Sequence, residues 1–145
     1  AMYQKILAPL DGSKRAEAIL PHVEELALAG QAAVVLLQVV EASQMVVGAE
    51  FVFQAPEDYD MMKQNAEQYL NGLKGEFREK GIDARTRISH GPVVEAIIET
   101  AAAEDADLIA IASHGRTGLS RVFYGSVAAG VLHRIDRPLL VIRAV

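Results

Sequence analysis

The chain has 145 residues, 51% of them hydrophobic and 23% charged, a net charge of −5 and no cysteine. That length fits one domain, expected over residues 1–145, and the acidic balance disfavours both nucleic acid and anionic membrane surfaces, which attract cationic proteins. The lack of cysteine excludes disulfides, thiolate metal sites and cysteine nucleophiles, and agrees with the reducing cytoplasm in which the protein is expected to work.

The N-terminus runs almost directly into an apolar segment, so no signal peptide is expected, and Ala1 ahead of Met2 is read as a cloning remnant. Residues 5–10, KILAPL, form a short apolar run closed by Asp11 and Gly12, the first expected strand. Ser13 is placed to cap a helix whose apolar face is Ile19, Leu20, Val23, Leu26 and Ala27. Pro21 lies inside that pattern and should kink it, and Gly30 should close it. Residues 33–40, AVVLLQVV, read as a central parallel strand buried on both faces. This longest apolar run carries Gln38 and falls well short of the roughly 20 apolar residues of a membrane span.

Residues 41–56 show no clear period and read as a long connection or flap. A polar helix over 57–80 follows, with an apolar stripe of Met61, Met62, Ala66, Tyr69, Leu70, Leu73 and Phe77 that is expected to pack on the core. Residues 84–89 form a third strand, and Pro92 opens a helix with Val94, Ile97, Ile98 and Ala101 on its apolar face. A fourth strand spans 107–112, a helix 126–135, and a last strand 139–143. Alternating strands and helices imply a doubly wound α/β domain, one open parallel five-stranded sheet with helices on both faces.

In such sheets ligands bind beyond the carboxyl ends of the strands, where the strand order reverses. Two loops there carry suitable chemistry: PLDGS at 9–13, and the polar, glycine-rich ASHGRTGLSRVFYGS at 112–126. If both sit at the switch point, the sheet order is 3-2-1-4-5. Gly115 and Gly118 let the backbone approach an anion, Gly125-Ser126 opens a helix whose N–H groups favour negative charge, and Arg116 and Arg121 add charge. Asp11 can accept from ribose hydroxyls or hold a metal ion, Mg²⁺, between phosphates. Read blandly, the same residues are turn glycines and a helix cap.

At these residues the chain resembles the universal stress protein family. The likeness covers KILAPLDGS, LLQVV, HGPVVEAII, ADLIAIASHGRTGLSRVFYGSVAAGVLHR and RPLLVIR, almost the whole length. The family's nucleotide-binding branch carries G-x2-G-x9-G-[ST]. Gly115, nine intervening residues and Gly125-Ser126 match its second half, and Ala112 stands at its first glycine. The resemblance implies an adenine nucleotide alpha hydrolase-like fold with sheet order 3-2-1-4-5, a homodimer, a regulatory stress-response role and binding of ATP or AMP. It also implies that Pro9 and the Val39 backbone meet adenine, that Asp11 meets ribose or Mg²⁺, and that Gly115, Gly125, Ser126 and the Val127 backbone meet phosphates. Ala112 lies where a glycine backbone would, and Arg116 falls in the spacer.

Other chemistries fit less well. His22, His90, His114 and His133 share no metal-ligand spacing, although His90 and His114 follow strands and are expected to border the cleft. No GxSxG elbow supports a hydrolase triad, and the acidic pair and lysine of a receiver domain are missing, as is the SGGxDS of an ATP pyrophosphatase. No general base for turnover is evident besides Asp11, so slow ATP hydrolysis is the most that is expected. The apolar last strand, 138–145, should pair with its copy across a two-fold axis. The alternative reading is a dimeric interaction module of the same fold that binds no nucleotide and acts through a regulatory protein partner.

Overall fold

The computed structural model of the chain describes residues 2–41, 44–47, 50–53, 56–114 and 125–144. In chain order the elements are β1 (Lys5–Leu10), a 3₁₀ turn (Ala16–Ile19), α1 (Leu20–Gly30), β2 (Ala33–Val40), β3 (Gln44–Val47) and β4 (Glu50–Phe53). Then come α2 (Pro56–Glu79), β5 (Ala84–His90), α3 (Val93–Ala103), β6 (Leu108–His114), α4 (Ser126–Arg134) and β7 (Leu139–Ala144). Five strands form a parallel sheet in the order β5-β2-β1-β6-β7, which is the expected 3-2-1-4-5 arrangement. Among the described residues no helix is long and apolar enough to cross a membrane.

The sheet is covered on both faces because its central strands are apolar on both. Residues Val34, Val35, Leu36 and Leu37 of β2 are all fully buried. Even-numbered Val34 and Leu36 join Ile6 and Ala8 under α1 and α2, with Val23, Leu70 and Phe77. Odd-numbered Val35 and Leu37 join Leu7 and Ile109 under α3 and α4, with Ile97 and Val131. The two-residue period of a strand thus feeds two separate cores.

Polar anchors fix how the strands start. The Asp107 carboxylate accepts from the backbone N–H groups of Gln4 (2.8 Å) and Lys5 (3.1 Å), tying the start of β1 to that of β6. The Arg137 guanidinium donates to the carbonyls of Ala101 (2.9 Å) and Ala106 (2.7 Å), satisfying the end of α3 from the turn before β7.

Several local expectations are corrected. Residues 41–56 contain an antiparallel hairpin, with Gln44 opposite Phe53 and Val47 opposite Glu50. Its strands are four residues each, too short for a period to emerge, and the VV and FVF runs around Gly48 were its sequence signal. Pro21 does not kink a helix. It occupies the first turn of α1, where its missing N–H would have had no acceptor. Gly30 is still helical, and Gln31 takes the left-handed cap at φ 52°. Met61 is 63% exposed rather than packed, whereas Ala66, Leu70, Leu73 and Phe77 are buried as expected. Strands β5, β6 and β7 each run one or two residues beyond their sequence-based ends, to His90, His114 and Ala144.

Gly130 marks the closest approach of α4 to α3. A Cβ built there would lie 2.7 Å from Val94 Cγ2, while Gly72 and Gly75 in α2 have open space. Gly72→Ala and Gly75→Ala should each stabilise the fold by up to about 1 kcal/mol through helix propensity. Gly130→Ala gains the same propensity but must displace a β-branched side chain, and should destabilise by about 1–2 kcal/mol. Chemical denaturation midpoints check this; a stabilisation at Gly130 equal to that at Gly72 would show that the two helices have room to spare.

Candidate functional site

β1 and β6 separate early. Their pairing covers only Ile6–Leu108 and Leu7–Ile109, while β1 continues along β2 as far as Leu10. Pro9, which has no N–H to lend a ladder, comes after the last β6 pair. The divergence opens a cleft at the carboxyl ends of the two strands, the switch point of the sheet.

On the β1 side of that cleft the chain turns at once. Gly12 has φ +87°, a conformation that favours glycine. Asp11 Oδ1 accepts from the Ser13 N–H (2.8 Å) and the Ser13 hydroxyl (2.6 Å), and Ser13 Oγ in turn accepts from the Ala16 N–H (3.1 Å). The cap expected at Ser13 therefore exists, but it serves the 3₁₀ turn rather than α1. The network holds Asp11 by one carboxylate oxygen and leaves the other without a hydrogen bond among the described residues. Arg15 also lines the cleft, and none of the ion pairs among the described residues uses it.

Facing them is the start of α4. Gly125 sits at the N-cap with φ 84° and ψ 149°, a backbone region essentially closed to other residues. Among the described residues no side chain caps this helix, and the N–H groups of its first turn have no partner within it. Gly125, Ser126 and Val127 line the cleft together with Pro9, Asp11 and Ala112. Ala112 also packs against the α1–α2 core, so its methyl has a place in the packing.

A second cavity of about 510 Å³ adjoins the first and shares Asp11 with it. It is lined by Gln38, Val39 and Glu41 of β2 and its exit, and by Asn65 and Tyr69 of α2. Tyr69 donates to Glu17 of the 3₁₀ turn at 2.7 Å, bracing α2 against the segment that follows Asp11. Burial, then the Glu17 carboxylate it bonds, and the charge of Asp11 hold the Tyr69 phenol well above its ordinary value, so it remains a donor.

The structure thus brings together Pro9, Asp11, Ala112, Gly125, Ser126 and Val127 in one cleft, with Val39 in the adjoining cavity. Gly115, Arg116, Gly118 and Arg121 lie outside the described residues, and His114 is described only as the backbone end of β6. His90 does not line the cleft; its ring meets Tyr59 edge-on, with centroids 6.1 Å apart. Ser113 is buried and donates to the Ile142 carbonyl at 3.2 Å, which occupies its hydroxyl in the sheet. Among the described residues no group of three or more acidic or histidine side chains could hold a metal ion. Arg15, Gln38 and Tyr69 were not foreseen as site residues. Arg15 had a signal in the basic pair Lys14-Arg15 just after the turn, and Gln38 in being the single polar residue of an apolar strand.

Comparison with known proteins places this architecture. Universal stress protein MJ0531 of Methanocaldococcus jannaschii is 31% identical over 143 residues, covering 98% of this chain and 83% of that protein. Universal stress protein MJ0577 of the same organism is 28% identical over 98% of this chain and 96% of that protein. The solved structure of MJ0577 superposes with a TM-score of 0.76, over 99% of this chain and 97% of that one. A universal stress protein solved in complex with cAMP shares the fold at 20% identity and a TM-score of 0.73, over the whole of both chains. A model of the universal stress protein family matches residues 2–143, and the chain belongs to that family.

Proposed function

We propose that the protein is an adenine-nucleotide-binding regulator of the stress response, holding ATP or AMP at the carboxyl ends of β1 and β6. The observation that carries this is the cleft in which Asp11 faces the uncapped start of α4 at Gly125-Ser126. A helix N-terminus stabilises phosphate through its free N–H groups and its dipole, and a carboxylate accepts from ribose hydroxyls. Asp11 has one oxygen left for that purpose, and Arg15 supplies a cation from the same rim. The cAMP complex of a protein with this fold supports the ligand class.

Within this reading Pro9 and Val39 flank the base, while Gly125, Ser126 and Val127 hold phosphates, joined by His114, Gly115 and Arg116 from the neighbouring loop. Ala112 replaces the first glycine of the motif, and its packing into the core leaves the cleft beside it open. Asp11 is the residue that would hold Mg²⁺, with phosphate oxygens and water completing a shell that the protein alone does not provide. The setting is the cytoplasm, and the single domain acts by changing partners with nucleotide state. No residue is placed to activate water efficiently, so turnover is slow or absent.

Two outcomes are expected. Denaturing freshly purified protein should release ATP or AMP detectable by mass spectrometry, and calorimetry should show binding of added ATP with Mg²⁺. Ser126→Asp should keep the fold, because an acid suits the first turn of a helix, yet weaken ATP at least about tenfold by placing a charge against the phosphates. No bound nucleotide and no heat at millimolar ATP would overturn the proposal in favour of a nucleotide-free interaction module.

β7 carries the second. It pairs only with β6 in the sheet, and Leu139 to Ile142 are part-buried apolar residues along that edge. An isologous antiparallel match through residues 138–145 would close it. Val141→Glu should convert dimer to monomer on light scattering while circular dichroism stays native; an unchanged dimer assigns the interface elsewhere.

A further inference from the structure

We infer that the side-chain amide of Gln38 reads the base of the bound nucleotide and selects adenine, an assignment that rests on the function proposed above. Gln38 stands on β2 opposite Leu10 of β1, one residue before Asp11. Its face of the strand is apolar up to that point: Val34 and Leu36, four and two residues earlier, are fully buried under α1 and α2. An amide at the next position breaks the pattern, and among the described residues nothing compensates it. Gln38 Oε1 is buried and, among the described residues, is the one buried side-chain polar atom without a hydrogen-bond partner. A polar group left so is costly unless something outside the chain completes it.

The position says what that something is. Gln38, Val39 and Asp11 line the cavity that adjoins the phosphate-side cleft, and Asp11 is common to both. A nucleotide held at Asp11 by its ribose, with phosphates toward Ser126, has its base at the opposite end of the sugar, toward Gln38. The amide presents an acceptor beside a donor, and a half-turn about its last bond exchanges them. On the base edge that carries N7, adenine offers an amino donor beside a ring-nitrogen acceptor and matches the amide, whereas guanine and hypoxanthine offer two acceptors there, which neither orientation of the amide can satisfy. Tyr69, braced on Glu17, lines the same cavity from the α2 side.

The test is a two-by-two titration of the full chain. Wild type and Gln38→Leu are each titrated with ATP and with inosine triphosphate, which carries a carbonyl oxygen where adenine carries its amino group. Wild type should bind ATP at least about tenfold more tightly than inosine triphosphate, since a buried hydrogen-bonding site rejects a ligand that leaves it unpaired. Gln38→Leu should lose about tenfold in ATP affinity and bind the two ligands within about threefold of each other. Its unliganded melting temperature should be no lower than that of wild type, because leucine removes an unsatisfied polar group. Wild type that binds both ligands equally would overturn the assignment without need of any variant, and so would a Gln38→Leu protein that keeps the wild-type preference. Wild type that binds neither ligand would remove the proposed function itself, and this assignment with it.

Discussion

Parallel pairing is the constraint from which the rest follows. Neighbouring parallel strands cannot be joined by a tight hairpin, so each neighbour is reached by a crossover that lays a helix or longer segment on one face. From β1 the chain first builds outward through β2 to β5, then crosses back to place β6 on the other flank of β1. After β1 the next strand, β2, lies on one flank, and after β6 the next strand, β7, lies on the other. β1 and β6 stay paired only through Leu7 and Ile109, and the crevice between them is a consequence of topology before any side chain is considered.

Rigid packing on both faces then gives that crevice its precision. One core locks α1 and α2 to the even positions of β2, and the other locks α3 and α4 to the odd ones. The end of α4 that faces Asp11 is thus positioned by Val131 and Ala128 in the core and by the close contact of Gly130 with Val94. A site supported in this way can spend local rules for binding. Gly125 accepts a backbone conformation that other residues avoid, and among the described residues α4 has no side-chain cap and Gln38 Oε1 no partner. These three departures cluster around the two cavities that meet at Asp11, whereas the distant ends of the strands are fully tied by Asp107 and Arg137.

The charge arrangement fits a small anionic ligand better than a polymer. The chain is net acidic, and the cation on the described rim of the cleft is Arg15, set beside the acidic Asp11. A mixed rim of this kind suits a molecule that carries both phosphates and hydroxyl donors. Among the described residues it offers no extended basic surface for a nucleic-acid backbone. Bracing of α2 onto the 3₁₀ turn by Tyr69 and Glu17 links the helix wall of the second cavity to the loop that holds Asp11, so the two cavities share one mechanical frame.

Much of this was legible in the chain itself. Apolar runs of strand length alternating with helical periods dictated five parallel strands, and Gly12, Gly81 and Gly125 fell where the backbone needs positive φ. Asp11 and Gly125-Ser126 could be picked out because a turn after a strand and a glycine before a helix are local signals. The hairpin at Gln44–Val47 and Glu50–Phe53 escaped, since four-residue strands show no period. Pro21 and Gly30 were misjudged because the helix began later, and ended later, than its apolar spacing suggested. Met61 was assigned to the stripe, but the buried positions Ala66, Leu70, Leu73 and Phe77 recur every three or four residues and skip it, so it stands exposed. What only the tertiary structure decided was the place of Arg15 on the rim, the split of β2 between two cores, and the buried Gln38 Oε1 that has no partner among the described residues. Periodicity and turn chemistry act between residues a few positions apart, whereas a cavity and an unsatisfied atom are defined by segments far apart in the chain, and exist only once those segments have packed.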